Sequence, residues 1–168
     1  WTGAFPYNPC AFPWVTQRSA EAPALAEGMI AGATRRLTED FDAIRRAERE
    51  IEGSSTQADD AGLVPPLVVV LHDRAASPDA ISRWLRSGIP IKILVINSLD
   101  CDTRLVDDGP PREFGLLGLT HPDVFVLQST TGEPDHLLRG LRAGMMSGRP
   151  CLFHVYAPDP QRHGLPSG

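Results

Sequence analysis

The sequence predicts an α/β fold: a mostly parallel open sheet with helices on both faces. Three observations point there. Apolar, β-branched runs recur, as in "LVVVL" at Leu67–Leu71 and "IKILVI" at Ile91–Ile96. They show little alternation, the pattern of strands buried on both faces of a parallel sheet. Segments of helical spacing separate them, so strands and helices succeed one another as parallel crossovers require.

The elements can be justified in chain order. Residues 1–18 are an arm rich in Pro and aromatics, headed by "WTGAFPYNPCAFPW". Proline fixes φ and removes a donor, which excludes a helix or a central strand here. The aromatics need cover, on their own domain or on a partner subunit. Residues 19–168 then form a single α/β domain. Ser19 to Glu52 is helical, with Leu25, Met29, Ile30, Ala33, Leu37, Phe41 and Ile44 on one apolar stripe. Its charged end, "RRAEREIEG", projects into solvent and stops at Gly53. "GSSTQADDAG" is a linker before the first core strand, Leu67–Leu71. Ser77 caps the next helix and Pro78 opens it; Ile81, Trp84 and Leu85 are its apolar face, and Gly88 ends it. The second core strand is Ile91–Ile96, followed by the long connection "SLDCDTRLVDDGPPREFGLLGLTHP". A third strand covers Val124–Leu127. A helix follows with Leu137, Leu138, Leu141 and Met145 on one face, and then a fourth strand, Cys151–Tyr156.

A chain of 168 residues with 42% hydrophobic and 22% charged residues has the make-up of one soluble globular domain. The formal net charge of -5, with no basic run, argues against nucleic acid as a partner. No apolar run is long enough to span a bilayer, so no membrane insertion is expected. The chain begins at Trp1 and carries no signal-peptide pattern; a longer parent polypeptide is the expectation. Cys10, Cys101 and Cys151 are far apart and form no C-x-x-C pair. An iron–sulfur cluster or structural zinc within this chain is therefore not expected, and a reducing, cytoplasmic setting is. His72, His121, His136, His154 and His163 show no H-x-x-x-H spacing and read as scattered core or surface residues.

Open parallel sheets bind ligands beyond the carboxyl ends of their strands. The candidates there are His72, Asp73 and Arg74 after the first core strand, and Asn97, Ser98, Asp100 and Asp102 after the second. Ser129, Thr130 and Thr131 follow the third; Tyr156 and His163 follow the fourth. The loop after the second strand adds Asp107 and Asp108, so hard oxygen donors suited to Mg²⁺ cluster in it. An unrelated α/β, Mg²⁺-dependent enzyme built on that loop is one reading; plain turn-capping by Asp and Ser is the other. No G-x-G-x-x-G, P-loop or G-x-S-x-G signature is present. Cys101 lies in the same loop, with no base that can be paired to it.

The order of pieces resembles one family, the C-terminal thiamine-diphosphate-binding domain of the pyruvate:ferredoxin (or flavodoxin) oxidoreductases. The stretch "HPDVFVLQSTTGEPDHLLRGLRAGMMSGRPCLFHVYAPDPQRHG" is similar to the family's strand, Val-Ser-Met-Gly-like turn, helix and Gly-Pro-Ser-Leu-type strand, which ends near a Tyr and an Asn/His-Gly. "LRSGIPIKILVINS" resembles the segment around its second core strand, and "GAFPYNPCAFPWVTQRSAEAPALAEGMIAG" its Pro-rich arm and following helix. The resemblance implies a 2-oxoacid oxidoreductase domain using thiamine diphosphate and Mg²⁺. By position it gives Asp73, Ser98 and the Asp100 carbonyl as metal ligands, and Asp73, Arg74, Ser98 and Thr103 as cofactor-binding residues. The aromatics of the arm point to a subunit interface, a homodimer, and the resemblance implies association with other domains of a larger oxidoreductase that supply the activating carboxylate and the nearest iron–sulfur cluster. The chain departs from the pattern where the chemistry lies. The family's Gly-Asp-Gly-Trp is here "HDRA", with His72 and Arg74 in place of glycines, and its Gly-Gly-Gln after the second strand is missing. The expectation is a degenerate cofactor site, inactive in the isolated chain.

Overall fold

A computed structural model describes residues 14–17, 23–53, 66–88, 90–98, 113–158 and 164. Strand β1, Trp14–Gln17, is followed by helix α1, Pro23–Glu52, and strand β2, Val68–His72. A 3-10 turn, Asp73–Ala75, leads to α2, Pro78–Leu85, and β3, Lys92–Asn97. Helix α3, Phe114–Leu119, precedes β4, Phe125–Thr130; α4, Pro134–Met146, precedes β5, Cys151–Tyr156. The five strands form one sheet in the order β1-β2-β3-β5-β4, and every pairing is parallel. This is the α/β architecture expected, with one more strand than expected.

Topology explains which face each helix covers. From β1 through β4 the chain steps in one direction across the sheet, so right-handed crossovers place α1, α2 and α3 on the same face. It then steps back to insert β5 between β3 and β4, which sends α4 to the other face. Two core clusters follow this division. Ile30 of α1, Ile81 and Leu85 of α2 and Phe114 of α3 pack with Val69, Leu71, Ile93, Val95 and Leu152. Leu137, Leu141 and Met145 of α4 pack with Leu94, Phe125, Leu127 and Phe153. Alternate residues of one strand serve opposite clusters, which is why the strands read as unbroken apolar runs. Each fully buried aliphatic side chain contributes about 1.5–3 kcal/mol.

Local signals set the element ends. The Ser77 hydroxyl accepts the Ala80 amide at 3.4 Å, with Pro78 in the first turn of α2. Gly53 and Gly88 adopt φ of 65° and 79°, a left-handed conformation that favours glycine after a helix. At the amino end of β3, Lys92 is only 1% exposed. Its three donors are met: the Ser147 and Arg149 carbonyls each at 2.6 Å and the Cys151 Sγ at 3.3 Å. Burial pushes the Cys151 thiol above its ordinary range, while the Lys92 ammonium pulls it back.

Several expectations need correction. The sheet begins inside the predicted arm, since Trp14–Gln17 pairs with Val68–Leu71, ahead of the boundary set at residue 19. It does so as an edge strand, the position a proline-rich context tolerates. Helix α1 is described from Pro23, and the expected start at Ser19 lies outside the described residues; its stripe packs on the core only as far as Leu37, and Ile44 is exposed. Leu138 of α4 is likewise exposed. The long connection contains α3, a helix of six residues that was not foreseen. The rest of the arm, the linker and most of the acidic loop lie outside the described residues.

Candidate functional site

The carboxyl ends of β2 and β3 bring three of the predicted residues together. In the parallel register His72 lies beside Ile96, so the pleat puts His72 and Ser98 on one face. The His72 Nε2 stands 3.2 Å from the Ser98 Oγ. Its other nitrogen, Nδ1, stands 2.7 Å from the Asp73 Oδ1. The Arg74 amide also approaches Nδ1, at 3.3 Å. These contacts compete, because Nδ1 cannot both donate and accept. The hydrogen bond is the Arg74 amide's, which Nδ1 accepts, whereas the Asp73 contact is close without being a hydrogen bond; the ring proton is therefore assigned to Nε2. The Asp73 Oδ1 is buried and has no hydrogen-bond partner. Nε2 is then the donor, and the Ser98 hydroxyl oxygen accepts from it. The ring thus stands between Ser98 and Asp73, hydrogen-bonded to the first and only in contact with the second.

A second polar group lies on the opposite face, at the ends of β4 and β5. His154 is fully buried on a central strand, with neither ring nitrogen hydrogen-bonded. Its ring meets Phe114 edge-on at 5.7 Å and Tyr156 at 4.6 Å between centroids. Burial holds its pKa below the ordinary imidazole range, against the pull of Glu113 and Asp73. The Tyr156 hydroxyl accepts from Gln128 Nε2 at 3.1 Å. Burial and Glu113 raise its pKa, and the Gln128 bond opposes them. On the α4 side, Ser129 Oγ pairs with His136 Nδ1 at 2.8 Å. The Thr130 hydroxyl accepts the Gly132 amide at 3.2 Å, and the Thr131 amide reaches the Tyr156 carbonyl.

The predicted residues thus separate. Asp73 and Ser98 meet through His72, and Arg74 stands exposed beside them. Asp100, Thr103, Cys101, Asp102, Asp107, Asp108 and His163 lie outside the described residues. His154, Gln128 and Glu113 were not singled out beforehand. For His154 the signal was present: a titratable residue inside the apolar run "CLFHVY".

The His72 imidazole occupies the space between the two residues that would share a Mg²⁺ ion. Ser98 spends its hydroxyl on the ring, while the Asp73 Oδ1 lies 2.7 Å from Nδ1 without a hydrogen bond. Among the described residues, no group of three or more His, Cys, Asp or Glu side chains is arranged to hold a metal. With side chains at His72 and Arg74, the described part of the site lacks the open backbone approach that a metal–diphosphate group needs. No helix among the described residues is long and apolar enough to cross a membrane. Comparison with protein-family models, with curated proteins and with solved structures finds no match to this chain.

Proposed function

We propose that this chain is a thiamine-diphosphate-type domain of a 2-oxoacid:ferredoxin oxidoreductase-like protein whose cofactor site has degenerated. Its remaining role in that setting is assembly, with a second copy or with other domains of a larger protein. The order of motifs supports the family reading, and the all-parallel sheet is compatible with it. The observation that carries the degeneracy is the imidazole between Asp73 and Ser98, at 2.7 Å and 3.2 Å. Where the family has glycines that let a diphosphate approach backbone, this chain has a side chain lying against both would-be ligands. Exposed Leu116 and Leu119 on α3, and Leu138 and Met146 on α4, support an associating role.

Calorimetric titration of the chain with thiamine diphosphate and Mg²⁺ tests this. The expected result is no measurable binding heat. Micromolar affinity that disappears in Asp73→Ala would overturn the reading and restore a working cofactor site.

A further inference from the structure

The sheet is sealed on one side and half open on the other. Val69 and Leu71 of β2 and Ile93 and Val95 of β3 face the helices α1, α2 and α3 and are 1% exposed or less. On the same strands Val68, Val70, Leu94 and Ile96 point the other way and are only half-buried. Of the described helices α4 alone lies on that side, and it packs on β4 and β5 with Leu94 at its border. Among the described residues, Val68, Val70 and Ile96 join neither core cluster. We propose that residues 1–13 of this chain lie across this open half-face, over Val68, Val70, Leu94 and Ile96.

Composition, backbone chemistry and reach select this occupant. Residues 54–65 carry Asp59 and Asp60, and residues 99–112 carry six charged side chains. Residues 1–13 carry none, and they hold Trp1, Phe5, Tyr7 and Phe12. Pro6, Pro9 and Pro13 have no backbone N–H, so the arm brings fewer unpaired donors onto an apolar surface than an ordinary segment would. The arm leads into β1, the strand beside β2, so it enters at the border of the open half-face. At about 3.3 Å per residue it can reach about 40 Å. The surface to be covered is about 10 Å across from β1 to β3 and roughly 20 Å along the strands. Attachment to β1 also keeps the arm at high local concentration over its own sheet, which favours it over the arm of a second copy.

This cover is independent of the cofactor reading, because it concerns the apolar half-face of β2 and β3 and not the contacts at their carboxyl ends. It does bear on association. With the arm spent on its own sheet, a second copy is left to meet the exposed leucines of α3 and α4 rather than the arm's aromatics.

The full chain, with Phe5 replaced by photoreactive benzoylphenylalanine, is irradiated at low protein concentration and the crosslinked peptides are mapped by mass. The expected product has the mass of one chain and joins the arm to the β2 or β3 peptides that carry Val68, Val70, Leu94 or Ile96. A product of two chains would mean that a second copy's arm fills the half-face. A crosslink to α1, α2 or α3, or none at all, would mean that the arm lies elsewhere. Each of these outcomes overturns the proposal. Chymotrypsin gives a second reading on the unmutated chain. Proline follows Phe5 and Phe12, so the cut after Tyr7 reports on the arm. That cut should be about 10-fold or more slower than in a free peptide of residues 1–18. Val70→Asp should restore the peptide's rate while the circular dichroism of the fold is retained. Cutting of the unmutated chain at the peptide's rate would also overturn the proposal, and that measurement needs no variant to fold.

Discussion

His154 and Lys92 are both sealed inside the sheet, yet the fold treats them in opposite ways. Lys92 Nζ has three partners, two carbonyls and the Cys151 sulfur. Truncating it strands two carbonyls and opens a cavity, so Lys92→Ala should cost about 3 kcal/mol in urea unfolding, with Lys92→Met losing less. His154 has no acceptor and no donor, and burial disfavours its charged form. The sign follows from linkage. The unfolded chain takes up a proton near the ordinary value of 6.5, whereas the folded chain does so only at lower pH. Stability therefore falls as pH drops below about 6.5, and levels off once the folded form also protonates. His154→Leu should flatten this acid limb in denaturation measured across pH, with no loss of stability at neutral pH. An unchanged limb would mean that other groups set the acid response.

Glycines show how elements pack. Gly144 of α4 lies against β5, and a Cβ there would sit 2.4 Å from Phe153 Cε1 and 3.0 Å from Phe125 Cδ1. Gly32 of α1 has nothing within 4 Å of the same position. Alanine is the better helix former by about 1 kcal/mol, so Gly32→Ala should stabilise by roughly that amount. Gly144→Ala should destabilise by about 1–2 kcal/mol, because ring displacement outweighs the propensity gain. Thermal melts of the two variants should move in opposite directions. Legibility also varied by element. The core strands could be read because burial on both faces leaves a continuous apolar run. Strand β1 could not, because its pairing partner β2 lies far along the chain and the preceding prolines dominate its surroundings. Helix α3 is too short for a periodic stripe, and no side chain caps it.

For the whole molecule, strand order decides where stability resides. β3 and β5 lie inside the sheet, while β1 and β4 form its edges. Hydrogen exchange should be slowest in Lys92–Asn97 and Cys151–Tyr156 and much faster in Trp14–Gln17. Fast exchange in β3 with protection in β1 would contradict the order. The same order explains how much of the candidate site was legible. The sequence places His72, Asp73 and Ser98 at strand ends, where ligands gather. That the imidazole spans the other two depends on β2 and β3 being neighbours in a fixed register, a long-range fact that no local pattern carries.

One consequence of the sealed amino end of β3 reaches beyond stability. Lys92 is the only lysine in the 168-residue sequence. The folded domain thus offers no lysine amine to acetylating enzymes, ubiquitin ligases or amine-reactive labels; its surface positive charge is carried by arginine, which such chemistries leave alone. Only when β3 parts from the turn before β5 does the amine emerge, so lysine tagging within this chain would mark unfolded copies and spare folded ones.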